Sequence, residues 1–388
     1  MRSFGYALLA LAVFVSPAHA AEVRLTPADS IVLNPANGRG YADLVVHAVT
    51  IATEPDETLV IQELRLELLV NGEIRETRVI GAEDLLRSTR AVAGAGFAEA
   101  IGAQVLNPSG LAGLFGRPVA LADSNDLAPA TALIAGPQYF AVNFAPNTAR
   151  AIVRARDARG RDVHFRAEAP VRPHTSTISY SAPLDGVWTQ QALPTLASHH
   201  RLNAPTEFAT DFFRMNDRGE IYGGDPLQAE SAFGFGAPVM AAAAGEVVFV
   251  IADEVQDRAA LMRRPDETPQ QAGQRIGRYT MERLNADFRR AAAGNLIVIR
   301  HEQGDTVEYS SYGHLRAGSV HVRVGDRVQQ GEVIAEVGDT GDSPAVHLHF
   351  QINAGPDPFM SKSLPARFEN LRVAAGNPEL GRIVVMGG

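Results

Sequence analysis

The chain has 388 residues, a formal net charge of −9 and no cysteine. Disulfides and thiolate metal ligands are therefore excluded, so any bound metal must be held by His, Asp or Glu. The acidic balance argues against nucleic acid as a partner, for which a basic footprint is expected. The length suffices for about two domains with full cores.

The first 20 residues have the pattern of a signal peptide: Arg2, an apolar run over residues 6–15, Pro17, and Ala18-His19-Ala20 as an A-x-A cleavage site. The run is too short to span a bilayer, and no later stretch approaches the ~20 apolar residues needed. Without cysteine there is no lipid-anchored cysteine start. A soluble exported protein without a stable membrane anchor is expected, periplasmic or secreted.

Residues 21–170 read as a β-rich accessory domain, sandwich-like, with a short helical insertion. Residues 59–70 and 73–80 form a hairpin about Asn71-Gly72. Residues 139–145 and 150–167 supply further strands. Within residues 82–115, residues 91–106 are rich in Ala and Gly, and one or two short helices are expected there. His47 and His164 stand alone in strand-like runs and are expected to be ordinary, partly exposed strand histidines. No catalytic constellation is visible, so this half reads as a positioning or binding module. Residues 171–177, with Pro173, form the linker.

Residues 178–370 read as a compact unit of short antiparallel strands separated by glycines, and residues 371–388 as a C-terminal tail. A helical insertion, residues 252–293, interrupts the unit. In Thr268-Pro269-Gln270-Gln271 a capping threonine precedes proline at the first helical position, with glutamine at the third. Ile276, Leu284 and Phe288 make an apolar stripe ended by Gly294, expected to pack on the core or the first domain and to border the substrate cleft.

Chemistry is concentrated in a few short motifs. His347 and His349 lie two apart in a strand-like run, so they share a face, roughly 7 Å apart by twice the strand rise. Such a pair suits a zinc site, one imidazole binding metal while the other reaches substrate or water. In Glu207-Phe208-Ala209-Thr210-Asp211-Phe212-Phe213, Asp211 is an acidic residue in an apolar run and needs a partner if buried.

Together with Ser198-His199-His200-Arg201 and Tyr312-Gly313-His314-Leu315, these segments resemble the LytM/lysostaphin-like zinc metalloendopeptidases, murein hydrolases of peptidase family M23. Gly-Ala-Pro-Val at residues 236–239, the strand at 294–301, Val-Gly-Asp-Arg-Val at 324–328 and Gly-Asp-Thr-Gly at 338–341 extend the resemblance, in the family's order, over about residues 178–365.

The resemblance implies a duplicated-hybrid-motif β fold and one zinc ion held by His200, Asp211 and His349. It also implies His314 and His347 as catalytic residues, and peptidoglycan peptide stems as substrate. Two histidines and a carboxylate leave a tetrahedral ion one open position, as catalysis requires. Ten residues separate His200 from Asp211, where the family motif has three. That departure leaves His199 as an alternative first ligand. His301 and His321 fall outside the motifs, and their alanine variants are expected to behave like wild type. A zinc-free relative acting as a cell-wall binding module or regulator of another murein hydrolase is the alternative function. Biotinyl-carrier and sugar-permease phosphocarrier domains share the glycine-punctuated strands. The former need a hairpin lysine, and the only lysine is Lys362; the latter are cytoplasmic, against the signal peptide.

Overall fold

The structure is a computed structural model and describes residues 21–35, 40–95, 99–191, 198–216, 218–377 and 381–386. The signal-peptide expectation falls on residues outside these. The protein is mainly β. Among the described residues, the two largest apolar cores lie one within the first half of the chain and one within the second.

In the first half, Glu22–Thr26, Ala48–Ala52, Thr131–Ala135 and Ala120–Leu121 form one sheet, and Gln138–Val142, Ala42–Val46 and Asn34–Pro35 another. A third sheet orders Ile31–Val32, Asp162–Arg172, Thr148–Asp157, Leu59–Val70 and Glu73–Gly81. The Leu59–Val70 hairpin turns at Asn71 and Gly72, both at positive φ, the backbone that tight hairpins demand. The helical stretch starts earlier than expected: Ala82–Ala93 precedes Ala100–Val105 and Gly110–Phe115. Leu85 and Thr89 face inward at a helical spacing of four, a period hidden by the alanines and glycines that follow. Val105, Leu111 and Phe115 cover Ala48, Ala52, Ala132 and Ile134 of the first sheet.

The strand Asp162–Arg172 takes in the first residues assigned to the linker. His174 Nε2 then meets Glu308 Oε1 at 3.0 Å, and Ser176 Oγ donates to Glu308 Oε2 at 2.8 Å.

The second half is built on one antiparallel sheet. Its strands run Arg327–Val328, Gly245–Ile251, Asn295–Gln303, Thr306–Leu315, Leu348–Asn353, Thr210–Phe213, Gly186–Gln191, Gly381–Met386 and Leu371–Asn377. Residues 371–388, set apart above as a tail, thus supply two of its strands; Gly381–Met386 pairs along Gly186–Gln191. Their alternating Val384 and Met386 are buried in the core.

Three helices, Arg258–Leu261, Pro269–Ala286 and Phe288–Ala293, leave the sheet after Ile251 and return at Asn295. Thr268 and Gln271 close the capping box read from the sequence. Ile276, Leu284 and Phe288 are half-buried, and Phe288 packs edge-on against Phe359 at 5.3 Å.

One isolated histidine differs from expectation. His47 is buried, with Nε2 2.9 Å from Glu207 Oε2 in the other half of the chain. His301 is also buried, between Ala244 O and Ser310 Oγ at 2.9 and 2.7 Å. His164 is exposed. The polar partners that allow the first two to be buried come from distant segments, which strand periodicity does not reveal.

Candidate metal centre

The strand Leu348–Asn353 runs between Thr210–Phe213 and Thr306–Leu315. Its register sets His349 opposite Asp211 on one side and Gly313 on the other. A Cβ at Gly313 would make only ordinary contact, 3.5 Å from His349 Cβ. His314 follows at φ +60, a left-handed conformation uncommon for a side-chain-bearing residue. It is held there by a hydrogen bond from its Nδ1–H to Thr340 O at 2.7 Å. Thr340 is itself tied to Asn295 N and Leu315 O through its hydroxyl, at 2.8 Å each.

The five residues named from the motifs come to one place. His200 Nε2 lies 3.1 Å from Asp211 Oδ2, and His349 Nδ1 3.1 Å from Asp211 Oδ1. His347 Nε2 is 3.7 Å from Asp211 Oδ1. The His314 ring is 4.6 Å from that of His347 and 5.9 Å from that of His349. His199 is exposed, its ring 3.9 Å from that of His200, and its donor nitrogen also falls within 4.8 Å of those of His200 and Asp211.

Tautomers follow from the neighbours. His347 Nδ1–H donates to Ala345 O at 2.8 Å, so, like His314, it turns its basic Nε2 towards the site. Phe213 stacks on the His347 ring at 4.8 Å. Gln351 donates its amide hydrogens to Pro358 O and Asn353 Oδ1, at 2.9 and 2.8 Å. Its Oε1 is left to accept from His349 Nε2 at 2.8 Å. Sequence reading missed Gln351, although it shares a strand face with His347 and His349 at the same spacing of two.

Burial pushes His314 and His347 below the ordinary imidazole value, His314 well below with the nearby His347 and His349 adding to the effect. Burial takes His200 down to about 4. For His349, burial acts downward, but the hydrogen bond and charge of Asp211 prevail and raise it. Burial likewise opposes charge on Asp211, and the hydrogen bonds of His200 and His349 hold it well below the usual carboxylate range.

The donor set fits zinc. With Nε2 of His349 committed to Gln351, Nδ1 is the nitrogen that faces a carboxylate oxygen at 3.1 Å, and a proton or a metal cation must lie between the two. Donors roughly 2.0–2.1 Å from a tetrahedral zinc stand roughly 3.3 Å apart, close to the spacings here. Among the described residues, the ion-pair partners of buried Asp211 are all histidines, with no arginine or lysine.

The site opens into a cavity of about 520 Å³ whose walls include Phe213, Phe288, Ala293 and Phe359, with Ala103 from the first half of the chain. The helical insertion also reaches the turn behind the site. Arg258 Nη1 pairs with Asp339 Oδ2 at 2.7 Å, and Gln256 Nε2 donates to Gly341 O at 3.0 Å.

Residues 271–360 match the family model described as Peptidase family M23, a span that holds His314, His347 and His349. The chain thus carries an M23-type peptidase segment, the resemblance to LytM/lysostaphin-type enzymes read from its motifs. Among solved structures, the catalytic domain of the antimicrobial peptidase lysostaphin from Staphylococcus simulans is similar at 21% identity, over 48% of this chain and 86% of that one, with a TM-score of 0.23. A zinc containing peptidase from Vibrio cholerae is similar at 13% identity, over 92% of this chain and 87% of that one, with a TM-score of 0.26. No curated protein matches the chain.

Proposed function

We propose that the chain is an exported zinc-dependent endopeptidase that hydrolyses peptide cross-links of peptidoglycan. In this reading the peptidase unit starts at residue 178 and takes in the strands Leu371–Asn377 and Gly381–Met386, and the first 20 residues are a cleaved signal. His200, Asp211 and His349 hold one zinc ion, and His314 and His347 handle protons. One observation carries the reading: a buried carboxylate, Asp211, meets imidazole nitrogens at 3.1 Å on both of its oxygens, with no arginine or lysine among the described residues paired to it.

When bound, zinc supplies Lewis acidity that polarises a peptide carbonyl and makes a water molecule acidic near neutral pH. The rest falls to the side chains. His314 and His347 are kept neutral by burial, and each turns a free Nε2 inward because its Nδ1–H is engaged by a backbone carbonyl. Such a nitrogen takes the proton of the attacking water and returns it to the amine that leaves. The imidazolium formed in that step donates a hydrogen bond to the oxyanion before its proton moves on. The apolar walls of the cavity lower the local dielectric, which strengthens these contacts.

Digestion of purified sacculi, with and without a chelator, tests the proposal. Soluble fragments carrying new amino termini are expected without chelator, none with it, and recovery on adding zinc. Cleavage indifferent to the chelator would contradict the reading, as would inert protein that nevertheless holds zinc.

A further inference from the structure

The turn that carries His200 is gripped from the other half of the chain. His200 sits in the short helix His199–Leu202, and the next residue, Arg201, has no exposed surface. Its guanidinium pairs with Asp43, on the strand Ala42–Val46, and with Glu207. It lies 5.8 Å from the ring of Tyr139 and 5.0 Å from that of Phe208. Glu207 Oε2 also meets Nε2 of the buried His47 at 2.9 Å. Asn34 donates to both oxygens of Asp43, at 3.2 and 3.3 Å, and Gln104 Nε2 donates to His47 O at 2.5 Å.

Four residues of 3₁₀ helix have little stability of their own. Ten residues separate His200 from Asp211, with the helix ending at Leu202 and the strand starting only at Thr210, so the strand that fixes Asp211 does not reach His200. A buried guanidinium, in contrast, must keep its carboxylates close, because charge left unpaired away from water is costly. Where Arg201 is pinned, the backbone of His200 is pinned one residue away.

We infer that Asp43 and His47, acting through Glu207 and Arg201, are positioning residues for His200, so that the first β unit completes the metal centre instead of merely accompanying it. The inference rests on the proposed zinc reading.

The test uses the full mature chain and two readouts, zinc affinity by competition with a chromophoric chelator and the visible spectrum of the cobalt(II)-substituted protein. Asp43→Asn is expected to bind zinc ~10–100-fold more weakly, as removal of an outer support of a ligand does. Its cobalt spectrum is expected to shift towards that of His200→Ala, which a loss of general stability would not cause. Asp29→Asn serves as the control, breaking a second contact between the halves, Lys362 Nζ to Asp29 Oδ2 at 2.5 Å. It should keep both readouts at wild-type values.

Wild-type affinity and spectrum in a folded Asp43→Asn would overturn the inference. So would an equal loss in Asp29→Asn, or raised turnover with unchanged zinc, which would make the contact a latch. Should Asp43→Asn fail to fold, the milder Tyr139→Leu decides by the same readouts. If the wild type itself binds no zinc, the functional reading fails; if it binds tightly and Asp43→Asn does too, only the positioning inference fails.

Discussion

Gln351 Oε1 accepts a hydrogen bond from His349 Nε2 at 2.8 Å, and this contact decides which nitrogen of His349 faces Asp211. The amide cannot flip without breaking its bonds to Pro358 O and Asn353 Oδ1. Gln351→Leu should therefore weaken zinc binding by ~10–100-fold, through loss of the enforced tautomer. Chelator competition measures it, and wild-type affinity in that variant would remove Gln351 from the account.

His314→Ala and His347→Ala should retain zinc and lose activity by ~10²–10⁴-fold, the usual range for general acid–base assistance. Elemental analysis alongside a peptidase assay separates the two effects. Loss of zinc from either variant, to the extent seen for His349→Ala, would reassign that residue to the metal.

Gly294 stands at φ +63, and a Cβ there would fall 2.3 Å from the Thr340 carbonyl that holds His314. Gly294→Ala should cost more than the ~1–2 kcal/mol of left-handed backbone alone, and should depress activity more than zinc content. Denaturant unfolding reads the first effect and a peptidase assay the second. Wild-type stability would show that the turn relaxes freely.

The motifs placed five side chains in one site because the sheet register does the rest. Once Asp211 and His349 lie on adjacent strands, their pairing follows from alternation. The capping box at Thr268 was legible for a similar reason, since its partners are three residues apart. The support for His200 was not legible. Asp43, His47 and Arg201 are each unremarkable in their own segments and acquire meaning only across more than 150 positions of chain. His47 looked like a partly exposed strand histidine because a single polar residue in an apolar run carries no sign of what lies opposite it.

Burial, with the Arg201 guanidinium adding to it, pushes His47 from 6.5 down to about 3. Between those values the unfolded chain binds a proton there and the folded chain does not, so stability falls as pH drops through that window. His47→Gln, which keeps an amide donor for Glu207, should make the melting temperature less sensitive to pH between neutrality and about pH 4. An unchanged slope would mean that other groups govern the acid limb.

The central claim is that Asp211 is the carboxylate of a zinc site, and zinc stoichiometry in wild type and Asp211→Asn tests it most directly. The variant is nearly isosteric and can keep its strand pairing to His349, so folding can be confirmed by circular dichroism. We expect about one zinc per chain in the wild type, from the one set of converging donors found among the described residues, and almost none in Asp211→Asn. Equal zinc in the two proteins, or none in the wild type purified without chelator, would contradict the account.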